Sequence, residues 1–364
     1  MDAILAERSD SNLTRLGQIV GGYLRGDRTG PVSVDEDLLR FARARHGVGP
    51  LLLSMAGQEL AGAKFVQAHR ALVRRQAMEA LQIKIIDACF AEAGIPWLIL
   101  KGAPQAQMLY GDAALRPSVD IDILVPPGKF TAAFRALQRL GWTAPSSRRF
   151  FPQGFALSLL RDVDLYAPGS NAFHIELHQR PLYLESFATT GQDLFDAVVR
   201  DPFPAPAIGP ALAYYLFAHG AASAWCRLKW LVDFALIQSR LDADGEAALL
   251  AKASRLQVEP ALAASILLAK DVLAASAETP LVFWAEAMRG TSAVRRCYDL
   301  FGAALQSPAT ARDTPLSDRR LALKTQFLVN GTPSARLRLL VQAPLGALIR
   351  TMAGLSHFAA GAGR

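Results

Sequence analysis

Residues 94–126 read GIPWLILKGAPQAQMLYGDAALRPSVDIDILVP, and their reading decides the fold. PWLILKG (96–102) is a short apolar run that breaks at Lys101-Gly102, the pattern of a buried strand entering a turn. PQAQMLYGD continues as a short helix, and SVDIDILVP (118–126) alternates polar with β-branched residues, which predicts a second strand. Successive strand side chains point to opposite faces, so Asp120 and Asp122 share one face while Val119, Ile121 and Ile123 turn to the core. Downstream, KFTAAFRALQRLGW (129–142) is an amphipathic helix, and ALSLLRDVDLYA (156–167) and AFHIELHQRP (172–181) are further strands joined by a turn at Pro168–Asn171. The order β-α-β-α-β-β predicts an α+β fold, a small mixed sheet covered by helices.

Helical periodicity flanks this core on both sides. LLRFARARHGVGPLLLSMAGQEL and FVQAHRALVRRQAMEALQIKIIDACFAEAG carry apolar residues at three- and four-residue steps, and Gly94 supplies the stop signal. Helical spacing returns from Ala211 to about residue 305, and SPATARDTPLSD (307–318) has a linker composition. Four consecutive segments are expected: a helical region 1–94, the α/β core 95–182, a helical domain 183–306, and a linker with C-terminal helices over 307–364.

At 364 residues and 51% hydrophobic the chain is far too apolar for a disordered protein. Its three cysteines, Cys89, Cys226 and Cys297, are widely spaced and odd in number, so neither a disulfide framework nor a Cys-based zinc site is expected. The N-terminus lacks a basic segment followed by an apolar one, which predicts no secretory signal and a cytoplasmic location. The uncharged stretch from Pro202 to Cys226 is broken by prolines and reads as a buried helix, not a span of about 20 apolar residues. RLRLLVQAPLGALIRTMAGL (336–355) alternates arginine with apolar residues; it suits either a helix packed on the body or a peripheral contact with an anionic membrane. Net charge is +7, carried by 31 arginines and eight lysines, and no nucleic-acid-binding appendage accompanies it.

Three places carry chemistry. Asp120 and Asp122 repel each other unless a cation lies between them, and such a pair suits a hard divalent ion such as Mg²⁺ or Mn²⁺; a solvated strand edge is the alternative. In HIELH, His174, Glu176 and His178 share a face opposite Phe173, Ile175 and Leu177, so Glu176 offers a third carboxylate, and no HExxH-type spacing argues for zinc. Gly102 directly after a strand lets backbone amides approach a phosphate, and Lys101 offers a point charge to it.

A strand ending in glycine, a helix, and a strand bearing D-x-D with a later carboxylate resembles the DNA polymerase β-type nucleotidyltransferase superfamily. More closely, the 94–126 block is similar to the bacterial family of uncharacterised nucleotidyltransferases, with its GIP-hydrophobic-LKG and R-x-x-x-DID elements. Ile175–His178, His219, Trp225, RLKWLVD (227–233) and RHGVGPLLL (45–53) extend the resemblance over residues 40–240. The chain departs from the wider superfamily in carrying Ala103 where Ser or Gly usually follows the strand glycine, and Lys101 is the residue placed to compensate.

The resemblance implies transfer of a nucleoside monophosphate from an NTP to an acceptor hydroxyl or phosphate on a small molecule, peptide or protein. Lasso-peptide tailoring or polysaccharide biosynthesis is the setting it suggests. It implies that Asp120, Asp122 and Glu176 hold the metal and that Glu176 helps deprotonate the acceptor. Lys101, Gly102, Arg116 and Lys229 would meet the nucleotide, with His178 and Asp233 as acceptor-side or supporting groups. Lys229 and Asp233, four apart on a helix, would either close the site or form a stabilising pair worth a few tenths of a kcal/mol. Trp225 and Trp230 would stack a base or fill core. A non-catalytic binding protein that kept the fold is the alternative, and a nucleic-acid enzyme is disfavoured.

Overall fold

The computed structural model describes residues 2–27, 32–55, 63–118, 120–144, 160–168, 173–181, 191–274, 278–307 and 324–329, with isolated positions from 332 to 348. It contains the expected α+β core. Strands β1 (Leu98–Lys101), β2 (Ile121–Leu124), β3 (Asp162–Tyr166) and β4 (His174–His178) form a mixed sheet in the order β1-β2-β4-β3. β2 and β4 run parallel, and β1 and β3 pair antiparallel at the two edges.

The alternation read from the sequence sets the sheet's two faces. Ile121, Ile123, Val163, Leu165, Ile175 and Leu177 join one apolar cluster and are at most 2% exposed. Ile83, Ile86 and Phe90 of the long helix α4 (Ala63–Glu92) and Phe130, Phe134 and Leu137 of α6 (Phe130–Arg139) belong to the same cluster. Burial of this face supplies the hydrophobic drive of the core. The opposite face receives Asp122, Asp162, Asp164, His174, Glu176 and His178, set side by side by register: Asp122 opposite Glu176, Glu176 opposite Asp164, and His178 opposite Asp162.

Simple alternation would place Lys101 with Ile99, on the core face. The β1–β2 register shifts between Ile99 and Lys101, so that Lys101 pairs with Asp122. An irregularity of this kind re-aims a side chain, and it delivers the lysine to the polar face. The helix α5 (Ala103–Tyr110) follows at once, capped by Gly102 with φ 122°. That backbone conformation is open to glycine and strained for other residues.

Packing divides the chain differently from the four consecutive segments expected. One unit comprises residues Met1–Ala71, Ala114–Arg116 and Ile208–Gly331; the other comprises Leu72–Ala113, Pro117–Ala207 and Thr332–Arg364. Most of α4 therefore belongs with the sheet, because its apolar stripe is what the sheet buries. The sheet unit also holds a hairpin, β5 (Val198–Arg200) with β6 (Pro204–Pro206), within the 183–306 segment expected to be helical. Prolines are tolerated on such edge strands.

In the helical unit, α1 (Asp2–Arg25), α2 (Glu36–Phe41) and α3 (Gly49–Met55) join α8 (Pro210–Ala222), α9 (Leu228–Gln238), α10 (Ala243–Arg255), α11 (Glu259–Leu273), α12 (Pro280–Met288) and α13 (Ser292–Gln306); α7 (Gln192–Asp196) lies in the sheet unit. Gly21 of α1 meets the α11 backbone so closely that an added Cβ would stand 1.7 Å from the Leu273 carbonyl oxygen. His46, from the RHGVGP block, is fully buried, and its Nδ1 accepts the Leu228 amide at the start of α9 (3.2 Å). Trp225 is core, donating to Ser265 Oγ at 2.8 Å. Among the described residues no helix is long and apolar enough to cross a membrane. The 336–355 stretch and the 308–318 part of the linker lie largely outside the described residues.

Candidate active site

The polar face of the sheet concentrates the residues singled out by sequence. Asp120 stands at the entry to β2, where its Oδ1 accepts the Ser118 hydroxyl at 2.9 Å. Asp122, 1% exposed, receives Lys101 Nζ at 3.2 Å and His178 Nε2 at 3.1 Å on the same Oδ1. Glu176, 28% exposed, brings Oε2 within 3.5 Å of His178 Nε2. Two overlapping sets, Asp120/His174/Glu176 and Asp122/Glu176/His178, each bring ligand atoms within 4.8 Å of one another. Glu176 belongs to both.

Electrostatics follow from crowding acids in a shielded place. Burial raises the Glu176 carboxyl above its ordinary range; the His178 bond opposes this, and Asp122 and Asp120 add to it. Burial works against a charged His178, yet its bonds to Asp122 and Glu176 lift the ring to about 9. His178 therefore serves as a cation between two carboxylates. His174, 3.2 Å from Asp164 Oδ1 and stacked on Tyr166, is likewise raised: burial opposes protonation but the Asp164 bond prevails.

Carboxylates at two places are absent from the expected site. Asp162 and Asp164 form a second D-x-D on β3, facing the same way as Glu176; the signal was present in RDVDLY. Arg161 pairs with Asp162. The other is Glu79, 4% exposed on α4, whose carboxylate accepts the Ala103 amide at the start of α5. Burial raises Glu79 to about 7; Arg75 opposes this, and Asp120 and Asp122 reinforce it. Nothing in its helical surroundings in the sequence distinguishes it.

Arg116 is 3% exposed and clasps Asp233 through Nε and Nη2, at 2.9 and 2.7 Å to Oδ2. Both residues lie in the helical unit. Lys229 belongs to the same unit, where its side chain packs over Gly47. Trp230 sits edge-on to His219 at 5.1 Å and beneath Arg227. Asp120, Asp122, Glu176, His178, Lys101 and Gly102 are thus gathered in the sheet unit, while Arg116, Lys229 and Asp233 are held in the helical one.

Residues 34–274 match the family described as uncharacterised nucleotidyltransferase. The chain belongs to this family. No curated protein and no solved structure matches the sequence. The nucleotidyltransferase match spans both the acidic sheet face and the helices carrying RHGVGP and RLKWLVD.

The donor chemistry fits a divalent cation. Three carboxylates on or at the entry to the neighbouring strands β2 and β4 supply hard oxygen ligands, which suit Mg²⁺ or Mn²⁺. Lys101 and His178 occupy Asp122 with positive charge, as a cation would.

Proposed function

We propose that this chain transfers a nucleoside monophosphate from an NTP to a hydroxyl or phosphate of a small molecule, peptide or protein, with release of pyrophosphate. The observation that carries the reading is the place of Glu176 in two ligand sets of 4.8 Å spacing, with Asp120 and His174 in one and with Asp122 and His178 in the other, one strand away from a Gly102 turn that opens a helix. The family match supports the same reaction class.

Asp120, Asp122 and Glu176 would hold the divalent ion, which supplies charge neutralisation at the transferring phosphorus and activates the attacking oxygen. Glu176, the more open carboxylate beside buried Asp122, is positioned to take the acceptor's proton. Lys101 and His178 bracket Asp122. Lys101, turned to this face by the strand irregularity, is able to exchange Asp122 for a phosphate oxygen. Gly102 leaves the turn open to a close approach by phosphate.

Incubation with α-labelled NTPs, Mg²⁺ or Mn²⁺, and fractionated cytosolic small molecules, peptides and proteins tests the reading. Label transfer with equimolar pyrophosphate, lost in Glu176→Gln with nucleotide affinity retained, is the expected result. Metal-independent label transfer, or full activity in Glu176→Gln, would remove the basis for it. A cytoplasmic setting and a biosynthetic acceptor of peptide or polysaccharide type are part of this proposal.

A further inference from the structure

A helix start presents amides without intrahelical partners and the positive end of the peptide dipoles, which draws anions. In α5 the cap is Gly102, which has no side chain to fill that role, and no side-chain cap bond is made from the cap residue. The Ala103 amide instead goes to Glu79, a carboxylate from α4. Glu79 Oε1 lies 3.5 Å from the place a Cβ on Gly102 would occupy, and among the described residues it has no hydrogen-bond partner. The side chain is thus buried, half satisfied and aimed at the turn. It also faces the fields of Asp120 and Asp122, which repel it. One turn into the same helix, Gln105 is 2% exposed with neither Oε1 nor Nε2 hydrogen-bonded among the described residues. A local Ser or Asp at the cap position would close the helix without any of these costs.

We propose that Glu79 is a resident anion of the phosphate cradle, holding the Gly102–Ala103 turn in the nucleotide-free protein and competing with the triphosphate for it. The carboxylate offers the turn the same charge sign and hydrogen-bond acceptance as a phosphate oxygen. Binding of a triphosphate therefore requires Glu79 to swing away, so its charge sets the nucleotide affinity. This rests on the nucleotidyltransferase reading and adds a control residue to it.

The test is calorimetry on the full chain and on Glu79→Gln and Glu79→Ala, with each of the four NTPs plus Mg²⁺ and, separately, with inorganic tripolyphosphate without metal. Glutamine keeps the shape and can still accept the Ala103 amide; alanine removes the occupant altogether. Both variants are expected to bind tripolyphosphate and at least one NTP tenfold or more tighter than the wild-type chain, at an unchanged or higher melting midpoint. If the wild-type chain binds an NTP with Mg²⁺ and Glu79→Gln binds it equally or more weakly, the proposal fails while the nucleotidyltransferase reading stands. If neither the wild-type chain nor either variant binds any NTP or tripolyphosphate, both fail.

Discussion

Neutralising Asp120 is expected to stabilise the metal-free protein while destroying its response to metal, and neutralising Asp122 is expected to do only the second. Asp120 accepts a hydrogen bond from Ser118, and its charge adds to the strain on Glu176 and Glu79. Two carboxylates roughly 5 Å apart repel by about 3 kcal/mol at an effective dielectric constant near 20. The charged His178 ring and solvent absorb much of that, leaving a net relief of about 1 kcal/mol in Asp120→Asn. Asparagine still accepts the Ser118 hydroxyl. The melting midpoint in chelator should therefore rise by about 2–4 °C. Asp122 is different because Lys101 and His178 both lean on its Oδ1 in a buried place. Asp122→Asn weakens two charge-assisted bonds at once, a cost of about 1–3 kcal/mol and a midpoint lowered in chelator. Added at a hundred times its dissociation constant, Mg²⁺ or Mn²⁺ stabilises a protein that binds it only when folded by about 2.7 kcal/mol; the wild-type chain should show this increment and both variants should lose it. Differential scanning calorimetry in chelator and in each metal reads all four quantities. An Asp120→Asn protein that melts lower than wild type in chelator, or that keeps the full metal increment, would refute the account of the acidic cluster.

Other perturbations separate support from chemistry. Arg116→Ala or Asp233→Asn strands a buried charge or half of a buried pair and should cost about 3–5 kcal/mol in denaturant titration, with metal affinity unchanged; a loss of metal affinity without a loss of stability would return Arg116 to the site. Burial, with Arg45 and Arg227 adding to it, holds His46 at about 3 against 6.5 for an ordinary histidine. The unfolded chain therefore binds a proton that the folded chain refuses as pH falls below 6.5, and the His46 contribution to stability should fall by about 2 kcal/mol between pH 7 and pH 5, opposite in sign to those of the raised Glu79 and His178. The difference between the wild-type and His46→Gln stability profiles should show that fall, and parallel profiles would exclude it. Gly220→Ala drives a methyl group to within 2.0 Å of the fully buried Trp225 ring, which should cost about 1–3 kcal/mol; a neutral effect by thermal melting would contradict that packing.

The acidic site was legible where its signal is local. Asp120, Asp122 and Glu176 sit in strands whose alternating pattern fixes both the element and the face, so SVDIDILVP and HIELH specify a carboxylate surface without knowledge of the rest. The same rule applied to RDVDLY would have added Asp162 and Asp164. Lys101 shows where the rule stops: alternation assigns it to the core, and only a register shift against β2 turns it over. Glu79 and the Arg116–Asp233 clasp were illegible for a different reason. Each depends on tertiary contacts between elements far apart in the chain, 117 residues for the clasp, and a polar residue on a helix looks the same whether it faces water or a buried turn. The grouping of most of α4 with the sheet is hidden on the same ground, since α4 reads as one uniform helix in the sequence.

Metal-dependent nucleotide binding tests the central claim most directly. Calorimetric titration of the wild-type chain and Asp120→Asn with each NTP, in Mg²⁺ and in chelator, should give binding of at least one NTP to the wild-type chain in Mg²⁺ alone, absent from the variant. Binding that is equal in chelator, or equal in Asp120→Asn, would contradict a site built from Asp120, Asp122 and Glu176.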